Sequence, residues 1–89
     1  MTKSPYDVAQ AAMAKLRIAI HLTLKSAPPE GLTNAEIGRS LGIYMGHKGH
    51  QGHISRTILA MMEQEGVVKQ QSESRRWKLT SAQPSNLQD

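Results

Sequence analysis

The chain reads as a small α+β domain in which three helices are closed by a C-terminal two-stranded ribbon, and three features carry that reading. Apolar residues recur at helical spacing from Val8 to Leu24 and again from Ile54 to Met62. Between these segments, Thr33 and Glu36 stand at the spacing of a helix capping box. After them, Val67–Gln70 and Arg75–Leu79 flank a polar turn, the pattern of a short antiparallel hairpin. Eighty-nine residues make one domain, expected over 7–80 with flexible tails at 1–6 and 81–89.

The first helix is expected from Asp7, whose side chain can cap it. Val8, Ala12, Leu16, Ile20 and Leu24 form its inward stripe, widened by Met13 and Ala19, while Gln10, Lys15, Arg17 and Lys25 stay wet. No Gly or Pro interrupts Asp7 to Lys25, and the two prolines of SAPPEG then stop the helix before Gly31 permits a turn. The second helix starts at Asn34 behind the capping box, turns Ile37 and Leu41 inward with Ala35 nearby, and ends at Gly42, a left-handed C-cap. About two turns long, it cannot persist unless packed.

Ile43 to His53 (IYMGHKGHQGH) carries three glycines and three histidines and reads as a loop or a frayed helix start. The third helix follows, expected over about 51–65, with Ile54, Ile58, Met61, Met62 and Glu65 on or near its inward face and Gly66 as its C-cap. By period-two alternation, Arg75, Trp77 and Leu79 share one face of the second strand, and Arg76 and Lys78 the other. No element buries its apolar stripe alone. Three helices packed at steep angles under a ribbon make one core, built from Ile, Leu, Met and Val because Phe is absent and Trp77 is the single Trp.

There are no cysteines, which excludes disulfides and thiolate metal sites and fits a reducing compartment. No apolar run reaches the length of a membrane span, and the N-terminus lacks the apolar core of a signal peptide. The expectation is a cytoplasmic protein with no membrane partner. A net charge of +4 is first a statement about solubility. It bears on nucleic acid only if the cations gather on one face.

The residues at this point resemble a winged helix-turn-helix domain. GLTNAEIGRSLGI is similar to the first helix of the helix-turn-helix unit and its turn; ISRTILAMMEQEGVV is similar to a recognition helix running into a wing; and VVKQQSESRRWKL looks like the wing itself. The resemblance covers roughly Asp7 to Thr80 and is to the superfamily generally, MarR-like and other bacterial regulators among them. It implies a winged-helix fold, double-stranded DNA as partner, a role in transcription regulation or in a mobile-element or restriction system, and a homodimer through the first helix. One departure stands out. The segment from Gly42 to His53 is longer than the usual turn, so either the recognition helix begins near His50 or an extra loop projects beside it.

In such a fold the N-terminal turns of the third helix enter the major groove. His53, Arg56 and Thr57 are then the candidates for reading bases, Arg56 through bidentate bonds to a guanine edge, while the small Ala60 allows close approach; Gln51 is a further candidate DNA contact. Ser55 lies near the buried boundary, where a phosphate contact and a local bond to the backbone compete. The ribbon supplies Lys69, Arg75, Arg76 and Lys78, suited to phosphate or minor-groove contact, although charged ribbons also guard against edge-to-edge pairing. Arg76 and Lys78 are the better placed, Trp77 and Leu79 being needed for the core, and Arg75 at the turn can go either way. Lys48 and the histidines beside it add a basic, partly titratable loop.

His47, His50 and His53 form an H-x-x-H-x-x-H pattern, which invites a metal reading. On a helix the third imidazole swings about 60° from the first, and in a loop the glycines pre-organise nothing. We expect no metal and no cofactor. Neither is catalysis expected: Ser55 has no carboxylate placed to orient a histidine beside it, Glu63 and Glu65 diverge on one helix, and no phosphate-binding loop is present. The rival functions are a protein-interaction module, which would call for an apolar rather than a polar-basic start to the third helix, and a metal-responsive sensor using the histidine loop.

Overall fold

The computed structural model describes residues 3–80; the tail expected over 81–89 lies outside them. It is a small α+β domain with α1 at Pro5–Lys25, α2 at Asn34–Ser40, α3 at His53–Gln64, β1 at Val68–Gln70 and β2 at Trp77–Leu79. No helix of the described residues is long and apolar enough to cross a membrane.

Helix α1 starts two residues before Asp7. Ser4 is its cap, the hydroxyl accepting from the Asp7 amide at 3.1 Å, and Pro5 occupies the first turn, where its missing N–H costs nothing. Asp7 becomes the first-turn carboxylate that complements the helix dipole. Ile20 and Leu24 are buried, and Met13 and Leu16 pack against the core. Val8 and Ala12, expected inward, are exposed: the helix continues toward its N-terminus beyond the core it covers.

Helix α2 forms as its capping box dictates. Glu36 N–H donates to Thr33 Oγ1 at 3.1 Å and Thr33 N–H donates to Glu36 Oε1 at 2.9 Å. Gly42 and Gly66 follow α2 and α3 with φ of 73° and 80°, as the C-cap positions require. Helix α3 begins at His53, not near residue 51, so 41–52 is a connecting loop. Its inward face is turned toward Leu59: Ser55, Ile58, Leu59 and Met62 are buried, Ile54 and Met61 only half-buried. Glu65, expected near that face, is exposed and pairs with Arg17 of α1 at 2.9 Å.

The ribbon is antiparallel, with Val68 opposite Leu79, Lys69 opposite Lys78 and Gln70 opposite Trp77. Its strands are shorter than the sequence predicts because Arg75 adopts φ 63° and Arg76 turns toward α2. Leu32 adds a bridge on the other side of β2. Its N–H donates to the Trp77 carbonyl at 3.1 Å, and Trp77 N–H donates to the Leu32 carbonyl at 2.7 Å. Gly31 permits this approach: its φ is 86°, and a Cβ there would run into the Trp77 carbonyl. Trp77 thus reaches the core with Val68, Ile20, Leu24, Ile37, Ile58, Leu59 and Met62.

Two outcomes follow from the capping box. Thr33→Ala should lower stability by roughly 1 kcal/mol, read from the denaturation midpoint. The Thr33 amide, and behind it the Arg76 charge, hold the Glu36 carboxyl below the ordinary carboxylate range. A group shifted downward stabilises the fold above its unfolded pKa and loses that contribution as pH falls through the folded one. Glu36→Gln should therefore lose less midpoint than wild type between neutral pH and pH of about 3.

Candidate nucleic-acid interface

The junction of α2 and α3 is built from polar groups. The loop reaches α3 through Gly52, buried with φ 87°, a conformation that suits glycine. Asn34, the first residue of α2, donates from Nδ2 to the Gly52 carbonyl at 3.2 Å and accepts from the Ser55 hydroxyl at Oδ1, at 2.8 Å. Ser55 is fully buried. Its hydroxyl is committed to this junction and has no surface to offer a phosphate, which removes it from the contact residues. The sequence gives no sign of the Asn34 role, because an Asn after a Thr cap reads as an ordinary first-turn residue.

With Ser55 inside, His53, Arg56 and Thr57 are outside, as the helical angles require. They do not share one depression. Arg56 lines an open cleft of about 330 Å³ whose other walls are Thr33, Asn34 and Ala35 of the α2 start, Tyr44 of the loop, and Gln70, Arg75 and Trp77 of the ribbon. His53 and Thr57 line a shallower apolar groove against Met13 and Leu16 of α1. Arg56 Nη2 donates to the Gln51 carbonyl at 3.2 Å. This is one exposed bond, which leaves the rest of the guanidinium fork open. Gln51 itself is half-buried in the loop.

The ribbon cations separate into two groups. Arg75 lines the same cleft as Arg56, and no carboxylate is among the cleft residues. Lys69 and Lys78 stand directly opposite each other across the two strands, on the face away from Val68 and Trp77. Arg76, expected with Lys78 to be free for contact, is tied to the domain instead. Its Nη1 donates to the Gly31 carbonyl at 3.0 Å and lies 3.1 Å from Glu36 Oε1. The alternation rule misplaces the two arginines because the second strand begins only at Trp77.

Lys48 is exposed in the loop between His47 and His50, whose backbones close a turn at 2.7 Å. Among the described residues no three His, Asp or Glu side chains are grouped so as to hold a metal ion. Tyr44 has a place the sequence does not signal: the Arg39 guanidinium lies 4.6 Å from its ring centroid, and the ring walls the cleft.

Cutting the junction has a defined effect. Asn34→Ala leaves the buried Ser55 hydroxyl only the Gly52 carbonyl at 3.4 Å and should cost about 1 kcal/mol in a denaturation series. Adding Ser55→Ala should then cost little more, because both changes remove the same bond.

Comparison with family models, with curated proteins and with solved structures finds no match to the chain.

Proposed function

We propose that this chain is a winged-helix domain that binds double-stranded DNA, with the first turns of α3 in the major groove and the β1–β2 ribbon as the wing. The observation that carries the proposal is the cleft that Arg56 of α3 and Arg75 of the ribbon both line and that no carboxylate lines. Two arginines that line one open cleft raise its positive potential, which favours an anion there. Lys69 opposite Lys78 repeats the arrangement, since like charges directly across a ladder are destabilising on their own account. Glu63 lies at the opposite end of α3 and Glu65 just beyond it, so a helix entering a groove by its N-terminal half keeps them away from phosphates.

In this reading Arg56 meets a base edge, and Arg75, Lys69, Lys78 and Lys48 meet phosphates. Arg76 positions the wing through Glu36. Such a domain serves as a transcription regulator or as the DNA-binding part of a mobile-element or restriction system. The Arg56 side of α3 favours duplex DNA over a protein partner, because a protein-docking helix would present apolar anchors there.

Four phosphate contacts give a fall of log K with log salt at a slope of about −4. No binding to any duplex at low salt would remove the proposal. Arg56→Ala should cost about 1–3 kcal/mol on a preferred site and much less on random DNA. Lys69→Ala with Lys78→Ala should weaken every duplex alike and flatten the salt slope by about two.

A further inference from the structure

The cleft that Arg56 and Arg75 line has two features that a bare positive surface lacks. The first is the backbone of Arg75. Among the described residues it is the one non-glycine residue with positive φ, at 63°. Glycine or asparagine takes that conformation at little cost, and an arginine does not. Hydrogen bonds hold it there. Gln70 Nε2 donates to the Arg75 carbonyl at 3.0 Å, and Arg75 N–H donates to the Gln71 carbonyl at 2.9 Å. Strain held in this way gathers at ligand clamps, and here it belongs to a residue that lines the cleft.

The second feature is Tyr44. One edge of its ring packs on α2 and on the start of α3, so closely that a Cβ at Gly38 or Gly52 would stand 3.1 Å from a ring carbon. The Arg39 guanidinium lies over the ring, 4.6 Å from the centroid. The ring is thereby fixed as a wall of the cleft, with Ala35 as another part of the lining. A nucleobase stacks on an aromatic wall; a phosphate makes no use of one.

Shape adds a constraint. At about 330 Å³ the cleft stands at the lower end of the range of about 300–1,000 Å³ for small-molecule sites, room for one nucleotide. A base paired inside a duplex shows only an edge, at the floor of a groove about 8.5 Å deep. A depression receives a group that stands out from its surroundings, as an unstacked base does and a paired base does not.

We propose that the cleft binds one unpaired nucleotide of a duplex, turned out of the stack. The Tyr44 ring takes the base, Arg56 bonds its edge and Arg75 meets its phosphate. This rests on the duplex-binding reading, in which α3 and the ribbon hold the flanking DNA, and it adds a preference. Turning out a paired base costs unpairing and unstacking, whereas a base without a partner is already part-way out. The domain therefore selects a duplex with an unpaired base over a fully paired one.

The test is fluorescence competition of the full chain with two duplexes of equal length and phosphate number. One is fully paired; the other has an abasic site opposite a single central base. The second should bind about tenfold or more tighter, the gain expected from stacking one base on an aromatic ring. Tyr44→Phe keeps the ring and should keep the preference. Tyr44→Leu should bring the ratio of affinities close to one, with denaturation midpoints showing that both variants fold. Trp77 gives a readout that needs no substitution: it is the single Trp and lines the cleft. Its emission should change with the abasic duplex and far less with the paired one. Equal affinity for the two duplexes would overturn the proposal and leave the duplex-binding reading standing. A preference that survives Tyr44→Leu would overturn it too, as would Trp77 emission that responds alike to both duplexes. Binding of neither duplex at low salt would instead remove the duplex-binding reading, and this proposal with it.

Discussion

The position of α3 rests on one buried polar contact, the Asn34 side chain held between the Gly52 carbonyl and the Ser55 hydroxyl. A core of eight buried apolar side chains sets how deeply a helix sits, but hydrophobic burial is non-directional and does not fix where along its axis the helix starts. The hydrogen bonds do. An amide accepting from a buried hydroxyl at one end and donating to a carbonyl at the other has little freedom, and leaving any of these groups unpaired in the interior is expensive. The loop 41–52 can therefore be long and rich in glycine without blurring where α3 begins. Arg56, one residue beyond Ser55, takes its outward direction from that registration.

A second device acts on the ribbon. Two three-residue strands make a weak unit alone. Leu32 pairs with Trp77 on the free side of β2, and the Arg76 guanidinium bonds both the Gly31 carbonyl and Glu36. The ribbon is thus attached to the segment that opens α2 by backbone and side-chain bonds together. Arg75, one position earlier, is left on the cleft side. Of two adjacent arginines, one fixes the ribbon and the other lines the cleft with Arg56.

The helices were legible because their signals are local. The Thr33–Glu36 box, the prolines at 28 and 29 and the glycines at 42 and 66 act within a few residues of where they stand. The first-helix cap was misplaced because Ser4–Pro5 reads equally as a turn and as a cap followed by a first-turn proline. By angle alone His53, Arg56, Ala60 and Glu63 turn outward with Thr57 and Gln64 on one flank, and all six are exposed in the structure. What escaped the sequence is what depends on partners far along the chain: Asn34 with Ser55, Leu32 with Trp77, Arg76 with Glu36. Each joins residues that no periodicity relates. Reversing the weight of Arg75 and Arg76 is the consequence that matters most for function, since strand alternation assumes a strand and the second arm is not one until Trp77.

Helix α1 is apolar on two sides. One supplies Ile20 and Leu24 to the core; the other leaves Val8, Ile18 and Leu22 exposed. The cations stand elsewhere, Arg56 on α3 and Lys69, Arg75 and Lys78 on the ribbon. The central claim concerns those cations, and the most direct measurement is the assigned amide spectrum of the protein titrated with short duplex DNA. The account predicts that shifts concentrate at 51–57 and at 69–78, with the Asn34 amide responding and the outward positions of α1 from Val8 to Leu22 unchanged. Shifts confined to α1, or none at all under low salt, would contradict it.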